Sequence, residues 1–262
     1  MKIKLVYIGT SHIIINDLLK NECFELKEVI CERKRITKEY KDVIKLNNII
    51  LNEFETLTQF VDTFNKFFSN NIVMIIYQFD FIVPKIITNK FKIFNLHAGS
   101  LKTNRGAHPI VWSVLNGDKQ TELSLHLINE KIDQGVLVDK FSVDILENDT
   151  PKAIKAKMEE GIPFLLSKMK LFMENGISGE IISGGIYRKP IKELDFTINL
   201  ISDTGFDIKN KIRSQIEYNG AIVYLNKKKY VVTKLSSWVD EPESNFTINL
   251  KEKYIEVKRE DA

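Results

Sequence analysis

The sequence is poor in cysteine and has no long apolar run. Its two cysteines, Cys23 and Cys31, cannot build a disulfide framework or a four-cysteine metal site, so we expect two reduced thiols. No apolar run approaches the roughly 20 residues that a transmembrane helix needs. The apolar run over residues 3–8 is too short for a signal peptide. These absences predict a cytoplasmic protein.

An excess of charge of one sign is also missing. The 262 residues carry 38 Lys and Arg against 35 Asp and Glu, a formal net charge of +3. This balance gives no sign of a nucleic-acid or membrane partner. Lys189 and the lysines of 227–229 leave a local basic patch open, with a solvated hairpin tip as the alternative. The G-x-G-x-x-G fingerprint is absent as well, so a dinucleotide cofactor is not supported.

Strands and helices alternate regularly in the first part of the chain. Apolar runs such as 3–8 and 71–77 predict buried strands, and phenylalanines at helical spacing over 55–69 predict an amphipathic helix. This alternation indicates an α/β fold with a Rossmann-like, mostly parallel sheet. Ligands are then expected beyond the carboxyl ends of the strands.

The pattern changes after about residue 190. Before this point, a helix is predicted over 151–175 with a kink at Gly161. Beyond it, short alternating runs separated by polar turns predict hairpin strands over 221–225, 230–235, 246–250 and 254–257. We therefore expect a catalytic core over 1–190 and a small β-rich C-terminal subdomain over 191–262.

Polar residues at useful spacings concentrate between residues 94 and 138. Side chains alternate along a strand, so Asn95 and His97 project on one face of the strand predicted over 92–96. Asp133 follows in a turn. An imidazole base, an amide donor for developing negative charge and a carboxylate that holds the imidazole together suit attack by an amine on a carbonyl carbon.

Each of these residues also has a structural explanation. Asn at a strand end and Asp near Gly are common turn residues, and a lone His is often a satisfied structural group. No serine or cysteine nucleophile is indicated, because Ser100 lacks the G-x-S-x-G elbow. Direct transfer without a covalent enzyme intermediate is therefore favoured over nucleophilic catalysis, but spacing alone leaves the structural roles open.

An ordered set of motifs adds to this interpretation. The motifs are Asn95-Leu96-His97, Ser100-Leu101, Arg105-Gly106, Pro109-Ile110-Val111-Trp112, Asn116-Gly117, His126 and Asp133-Gln134-Gly135. In this order they resemble the core of the 10-formyltetrahydrofolate-dependent formyltransferases. The loop after Ser100 departs from the family, since Leu101-Lys102-Thr103 replaces the usual Leu-Pro.

The resemblance implies a catalytic triad of Asn95, His97 and Asp133. His97 would accept a proton from the substrate amine, Asn95 would donate to the oxyanion, and Asp133 would orient His97 and relay protons through water. His126 matches a motif position and is expected to contact the triad residues without touching the substrate. Arg105 is expected to anchor a loop.

The resemblance also implies binding residues. The pterin ring of the formyl donor, 10-formyltetrahydrofolate, would lie in a slot with one wall from the loop after the strand 71–77 and the other from Ile128; no metal is expected. The residues expected to contact the donor are Gln78, Phe79, Phe81, Ile82 and Ile128. Those expected near the phosphates of the acceptor are Gly9, Thr10 and Ser11, with a helix cap as the alternative for Thr10 and Ser11.

The chain length and near-neutral charge favour one acceptor within the family. They are most similar to those of sugar N-formyltransferases, so we expect transfer to the amine of a nucleotide-linked amino-deoxy sugar, such as a dTDP-4-amino-4,6-dideoxyhexose used in lipopolysaccharide O-antigen synthesis. Methionyl-tRNA formylation is the alternative among transferases. A formyltetrahydrofolate hydrolase or a non-catalytic folate-binding relative is the alternative from another class. A homodimer is expected by resemblance.

Overall fold

A computed structural model describes residues 2–67, 72–176, 179–235, 246–250 and 253–257. Its backbone contacts divide the chain into two compact units. The first unit contains Met1–Arg105, Glu122–Phe141 and Met158–Ile186. The second contains Gly106–Thr121, Ser142–Lys157 and Tyr187–Ala262. The expected domain boundary near residue 190 stays a prediction.

An eight-stranded sheet forms the centre of the fold, in the order β3-β2-β1-β4-β5-β7-β8-β9. Its strands are β1 (Ile3–Gly9), β2 (Phe24–Glu32), β3 (Ile50–Phe54), β4 (Val73–Tyr77), β5 (Lys92–His97), β7 (Gln120–Leu127), β8 (Val136–Asp144) and β9 (Glu180–Ile181). The neighbours from β3 to β5 pair in parallel, whereas β5–β7 and β8–β9 pair antiparallel. The predicted mostly parallel α/β sheet is confirmed.

Helices connect these strands. They are α1 (His12–Lys20), α2 (Lys38–Leu46), α3 (Leu57–Asp62), α4 (Lys85–Thr88), α6 (Pro151–Glu159) and α7 (Ile162–Asn175), with 3₁₀ turns at Arg33–Arg35 and Thr63–Phe67. The helix predicted over 55–69 is thus split into α3 and a 3₁₀ turn, and residues 68 and 69 lie outside the described ranges. None of the helices in the described part of the chain is long and apolar enough to cross a membrane.

The core of the first unit is rich in phenylalanine. All five residues of β4 are buried, as expected for a central strand covered on both faces, and β4 takes up Val73–Tyr77 of the run predicted over 71–77. Residue 71 is not described. Phe54, Phe60, Phe64 and Phe67 pack on one side of the sheet as a single buried cluster. Burial of each such ring stabilises the fold by about 1.5–3 kcal/mol.

One helix prediction was wrong, and one helix was not predicted. Residues 151–175 form two helices, not one kinked helix, because Pro163 has no N–H for an α-helical hydrogen bond. Gly161 lies at the break, where an added Cβ would come within 2.3 Å of the Phe141 ring. Helix α2 was missed because only Tyr40 and Ile44 are buried in it; the Thr37 hydroxyl caps it by accepting from the Tyr40 amide.

The second unit has a five-stranded sheet in the order β11-β12-β13-β14-β15. Its strands are β11 (Thr197–Ile198), β12 (Ala221–Leu225), β13 (Lys228–Leu235), β14 (Phe246–Leu250) and β15 (Lys253–Val257). The four predicted hairpin strands are therefore confirmed, and β11 adds a parallel partner to β12. A short ladder joins β6 (Arg105–Gly106) to β10 (Tyr187–Arg188).

Two helices accompany this sheet. They are α5 (Pro109–Leu115) and α8 (Gly205–Gln215), and a 3₁₀ turn spans Glu193–Phe196. In α5 the buried residues are Val111, Ser113 and Val114. Trp112 is only half-buried, and its indole N–H donates to the Lys189 carbonyl at 3.0 Å.

Gly9 ends β1 where the strand lies against Tyr77 of β4. Its φ is +147°, and a Cβ added there would come within 1.8 Å of the Tyr77 carbonyl oxygen. A side chain at this position would therefore be both strained and overlapping.

We predict that Gly9→Ala lowers the free energy of unfolding by more than about 3 kcal/mol, because backbone strain and overlap add. Gly176→Ala is the matched control: its φ is +60°, but no described atom lies within 4 Å of an added Cβ. Strain alone should cost this control about 1 kcal/mol. Urea unfolding measures both, and equal losses would contradict the close approach at Gly9.

Candidate active site

Two paired strands bring the first polar residues together. In the antiparallel register of β5 and β7, Asn95 lies opposite His126 and His97 lies opposite Ser124. The alternating positions, among them Leu96, are buried and apolar. The sequence-based expectation that Asn95 and His97 share a face of the strand agrees with this register.

His97 is held by a backbone carbonyl. The side chain is 6% exposed, and its Nε2 lies 2.7 Å from the carbonyl oxygen of Asn104. A carbonyl oxygen only accepts, so Nε2 carries the proton and donates it. The neutral ring then has its lone pair on Nδ1, which lies 3.6 Å from Oδ2 of Asp133. A proton taken up at Nδ1 would therefore be stabilised by the carboxylate.

His126 is completely buried beside Asn95. Its Nε2 lies 3.1 Å from Nδ2 of Asn95 and 3.5 Å from Oδ1 of Asp133. The shorter contact is a hydrogen bond in which the amide donates to an unprotonated Nε2, since an amide nitrogen cannot accept. The second N–H of the Asn95 amide is left for another acceptor. Neutral His126 thus fixes the direction in which Asn95 points its amide.

Asp133 occupies a strained turn. Its φ is +51°, a left-handed conformation that Asp tolerates better than most residues. Two residues later, Gly135 packs closely against the backbone of Leu127, since a Cβ added at Gly135 would lie 1.7 Å from the Leu127 carbonyl oxygen. The structural explanation for Asp133, a turn former, is therefore correct, and the same turn aims its carboxylate at both histidines.

The predicted donor slot is only partly assembled from the expected residues. Phe79, Phe81 and Ile128 are half-buried and pack against one aromatic cluster, with Phe79 and Phe81 centred 6.0 and 5.6 Å from the Phe54 ring. Ile82 is 66% exposed and does not join them. A surface cleft of about 690 Å³ adjoins this region, lined by Ile128 and by polar residues that include Asn129 and Gln134. Its size is typical of small-molecule sites.

Gln78 belongs to a different set of contacts. Its φ is +57°, its amide donates to the buried Glu159 carboxylate at 3.3 Å, and its Oε1 accepts from the Thr10 hydroxyl at 3.2 Å. The Tyr77 hydroxyl donates to the same Glu159 oxygen at 3.2 Å. The structure therefore groups Gln78 with the first turn of the chain and not with the two phenylalanines.

The first turn is held mostly by internal bonds. The Gly9 carbonyl accepts from the Tyr40 hydroxyl at 3.0 Å, and the Ser11 amide donates to the Tyr7 hydroxyl at 2.9 Å. Ser11 is buried and makes no side-chain cap bond. Thr10 is half-buried, which leaves it as the residue of the three most open to a ligand.

Arg35 is a residue beside the first turn that sequence reasoning did not single out. Its guanidinium donates to the Thr10 hydroxyl at 3.4 Å and pairs with Asp80 at 2.6 Å. It thereby links the first turn to the loop after β4. Glu159 was missed as well. Neither had a signal, because one basic residue in a charged stretch and one acidic residue in a helix look like solvated surface.

Fold and cluster together define a class of α/β protein with an Asn–His–Asp group at the carboxyl end of a central strand. Residues 17–168 match the family described as formyl transferase. Because this match covers more than half of the chain, the protein belongs to the formyl transferase family. The family predicted from the motifs is confirmed. Among the described residues, no group of three or more His, Cys, Asp or Glu is placed to hold a metal ion.

Relatives in sequence and in structure carry different names. The methionyl-tRNA formyltransferase of Buchnera aphidicola is 31% identical over 209 residues, which are 72% of this chain and 66% of that protein. The chain spans 53% of a second such enzyme, from Pelotomaculum thermopropionicum. It thus covers less than two thirds of these relatives.

Solved structures share the fold along nearly the whole chain. One is WlaRD, a sugar 3N-formyltransferase solved with dTDP and 5-N-formyl-THF: it is 22% identical with a TM-score of 0.68, over 98% of both chains. Another is the N-formyltransferase of Helicobacter canadensis in complex with folinic acid and dTDP-3-aminofucose: it is 22% identical with a TM-score of 0.66, over 96% of this chain and 97% of that one. These likenesses confirm the predicted fold.

The environment of His126 predicts a dependence of stability on pH. Its pKa is lowered, chiefly because burial disfavours the charged ring, and the hydrogen bond and charge of Asp133 oppose this only in part. The unfolded chain has the ordinary pKa of about 6.5. As pH falls below that value, the unfolded state binds more protons than the folded state, so stability is lost until the folded pKa is reached.

We therefore predict that the wild-type free energy of unfolding falls between pH 7 and pH 5 by up to about 1.4 kcal/mol per unit, and that His126→Gln removes this component. Ser124→Ala is the control, because Ser124 is buried on the same strand and does not titrate. It should lower stability by the same amount at every pH. A wild-type slope in His126→Gln would show that His126 is not the group responsible.

Proposed function

We propose that the protein transfers the formyl group of 10-formyltetrahydrofolate to the amine of a nucleotide-linked amino-deoxy sugar. The observation that carries the chemistry is the buried cluster in which Nδ1 of His97 faces the Asp133 carboxylate. When bound, the donor would supply a formyl carbon that bonds to the amine nitrogen while its bond to N10 breaks.

His97 acts as the base in this proposal. Its Nε2 proton is committed to the Asn104 carbonyl, so only Nδ1 can accept a proton from the attacking amine. The Asp133 carboxylate at 3.6 Å compensates the positive charge that the ring then carries. Through this pair the proton can pass on to the departing nitrogen. Proton uptake, storage and release need no covalent bond to the protein.

Asn95 stabilises the negative charge that develops on the carbonyl oxygen. One of its N–H groups is held by His126, so the amide cannot rotate to present its oxygen instead. The other N–H is then a preoriented donor. Such donors are typically worth about 2.7–4 kcal/mol of barrier lowering in acyl transfer.

The donor site is proposed at the half-buried faces of Phe79, Phe81 and Ile128. These three side chains offer apolar surface to a flat ring, and the cleft that begins at Ile128 has the volume for the rest of the molecule. Ile82, at 66% exposure, would contact the donor only from the rim. Gln78 would contribute less directly, through its bond to Thr10.

The acceptor phosphates are proposed to meet the first turn at Thr10, with Gly9 and Ser11 shaping it. Arg35 adds a guanidinium beside the Thr10 hydroxyl, and a guanidinium suits phosphate oxygens in geometry and charge. A phosphate would compete with the exposed Asp80 for this group. Support comes from the two structural neighbours, whose names include dTDP and dTDP-3-aminofucose.

Two observations bear on the acceptor. The likeness to the sugar formyltransferase extends over 98% of this chain, and so over the five-stranded sheet of the second unit. The match to the Buchnera tRNA formyltransferase covers 72% of it. Methionyl-tRNA formylation remains the second candidate, because the 31% identity to that enzyme exceeds the 22% to the sugar enzyme.

We predict that the purified protein formylates dTDP-linked amino sugars. The experiment offers 10-formyltetrahydrofolate with dTDP- and GDP-linked sugars carrying a 3- or 4-amino group, of which the 4-amino-4,6-dideoxyhexose is our first choice, and with charged initiator tRNA. Mass spectrometry identifies the products. Formylation of the tRNA and of no sugar would overturn the proposal in favour of the second candidate. Formate release without any acceptor would indicate a hydrolase.

We further predict that His97→Ala and Asp133→Asn each lower kcat by a factor on the order of 10²–10⁴, because general base catalysis contributes that much. Both variants should remain folded by circular dichroism. Asp139→Asn is the matched control, since the Asp139 carboxylate on β8 pairs with Lys168 at 3.1 Å and accepts from the Lys140 amide at 2.8 Å. Turnover near that of the wild type in either active-site variant would rule out the assigned role.

A further inference from the structure

Arg105 is buried directly behind the Asp133 turn. It is 8% exposed, one of its terminal nitrogens donates to the Ile132 carbonyl at 3.2 Å, and the other donates to the Gly185 carbonyl at 3.0 Å. With the Gln134 amide turned so that both its groups are satisfied, its oxygen accepts from the same two nitrogens at 2.6 and 3.3 Å. The guanidinium therefore forms hydrogen bonds to the residue before Asp133 and to the residue after it.

These hydrogen bonds flank Asp133, whose backbone is strained. Asp133 has a φ of +51°, and such a conformation lasts only where the surroundings hold it. The neighbours of Asp133 are bonded to a single rigid, planar group, so the turn cannot relax without breaking hydrogen bonds to a buried cation. Gly185, whose carbonyl accepts from Arg105, packs closely against the loop that precedes Arg105. A Cβ added at Gly185 would lie 2.8 Å from the Leu101 carbonyl oxygen.

We propose that Arg105 is a positioning residue for formyl transfer: it holds the Asp133 carboxylate in place beside His97 and His126. This inference rests on the proposed function of the Asp133 cluster. In these contacts Arg105 bonds to the two chain neighbours of Asp133 and to the Gly185 carbonyl, so it acts through the Asp133 turn and touches no reacting atom.

Lysine cannot replace this function. A guanidinium offers five N–H donors in a fixed plane, and the acceptors here lie in three separate groups around it. An ammonium on a flexible stem would keep the charge but would leave at least one of the three partners unbonded. Arg105→Lys should therefore behave like Arg105→Met, which separates a geometric role from a purely electrostatic one.

The first arm of the test is kinetic. We expect Arg105→Lys and Arg105→Met to lower kcat by about 10- to 100-fold, as displacement of a catalytic group by about 1 Å does, with the KM of either substrate changed less than threefold. Arg213→Met is the matched control: Arg213 also donates to loop carbonyls, those of Leu146 and Glu147 at 2.8 and 3.1 Å, within the second unit. A loss of kcat in this control equal to that in the Arg105 variants would overturn the proposal.

The second arm is a double-variant comparison. If Arg105 acts through Asp133, adding Arg105→Met to Asp133→Asn should lower kcat less than twofold further, since the carboxylate is already gone. Losses that multiply would show that Arg105 acts on something else. Gln134→Ala extends the test should the arginine variants unfold, because it removes one acceptor and leaves Arg105 with two. We expect an intermediate loss of three- to tenfold.

The third arm does not depend on activity. Asp133 raises the pKa of His126 against the larger effect of burial. Arg105→Met, Gln134→Ala and Asp133→Asn should therefore all lower that pKa further, as measured by ¹⁵N NMR of the four histidines. If the His126 pKa changed in Asp133→Asn but stayed unchanged in the Arg105 and Gln134 variants, the positioning role of Arg105 would be refuted. If the wild type formylates nothing, the proposed function fails, but this arm still tests whether Arg105 positions Asp133.

Discussion

The hydrogen bond from His97 to the carbonyl of Asn104 is the constraint on which the proposed chemistry depends. By binding the proton at Nε2, that carbonyl leaves Nδ1 as the only basic nitrogen of a ring that is 6% exposed. The position of Asp133 has catalytic meaning only because Nδ1, and not Nε2, faces it. Were the ring turned over, the carboxylate would hold the proton in place and the base would point at a peptide bond.

The change from parallel to antiparallel pairing beside β5 supplies the rest of the cluster. Parallel neighbours continue the pattern of an α/β sheet, but β7 runs against β5 and so places His126 directly opposite Asn95. Its complete burial keeps that ring neutral, and a neutral ring can accept the amide hydrogen of Asn95. One change of strand direction thus connects the electrostatics of a buried histidine to the orientation of a hydrogen-bond donor.

Sequence reasoning reached the fold and the polar cluster by separate routes. Hydrophobic periodicity was enough for the strands, because burial on both faces of β4 leaves a continuous apolar run. Alternation was enough to put Asn95 and His97 on one face. The roles came from the order of motifs, since Asn95, His97 and Asp133 each also fit a structural explanation, and Asp133 does form a turn.

Other parts of the site had no signal in the sequence. The Asn104 contact is made by a backbone atom, which every residue type possesses. Glu159 and Arg35 look like surface charges until the chain folds and brings them to Gln78 and Thr10. The break at Gly161 depends on the Phe141 ring, a neighbour from another element. Long-range packing of this kind is what periodicity cannot express.

The close approach at Gly135 has a consequence for how such a protein can diverge. With the Leu127 carbonyl 1.7 Å from where a Cβ would lie, the turn that carries Asp133 has no room for redesign by substitution. Lys102 and Thr103, in the loop after Ser100, are exposed, so substitution there disturbs little packing. Mutational drift is therefore channelled toward exposed loops such as this one, and a lineage can change its surface while the turn that carries Asp133 stays the same.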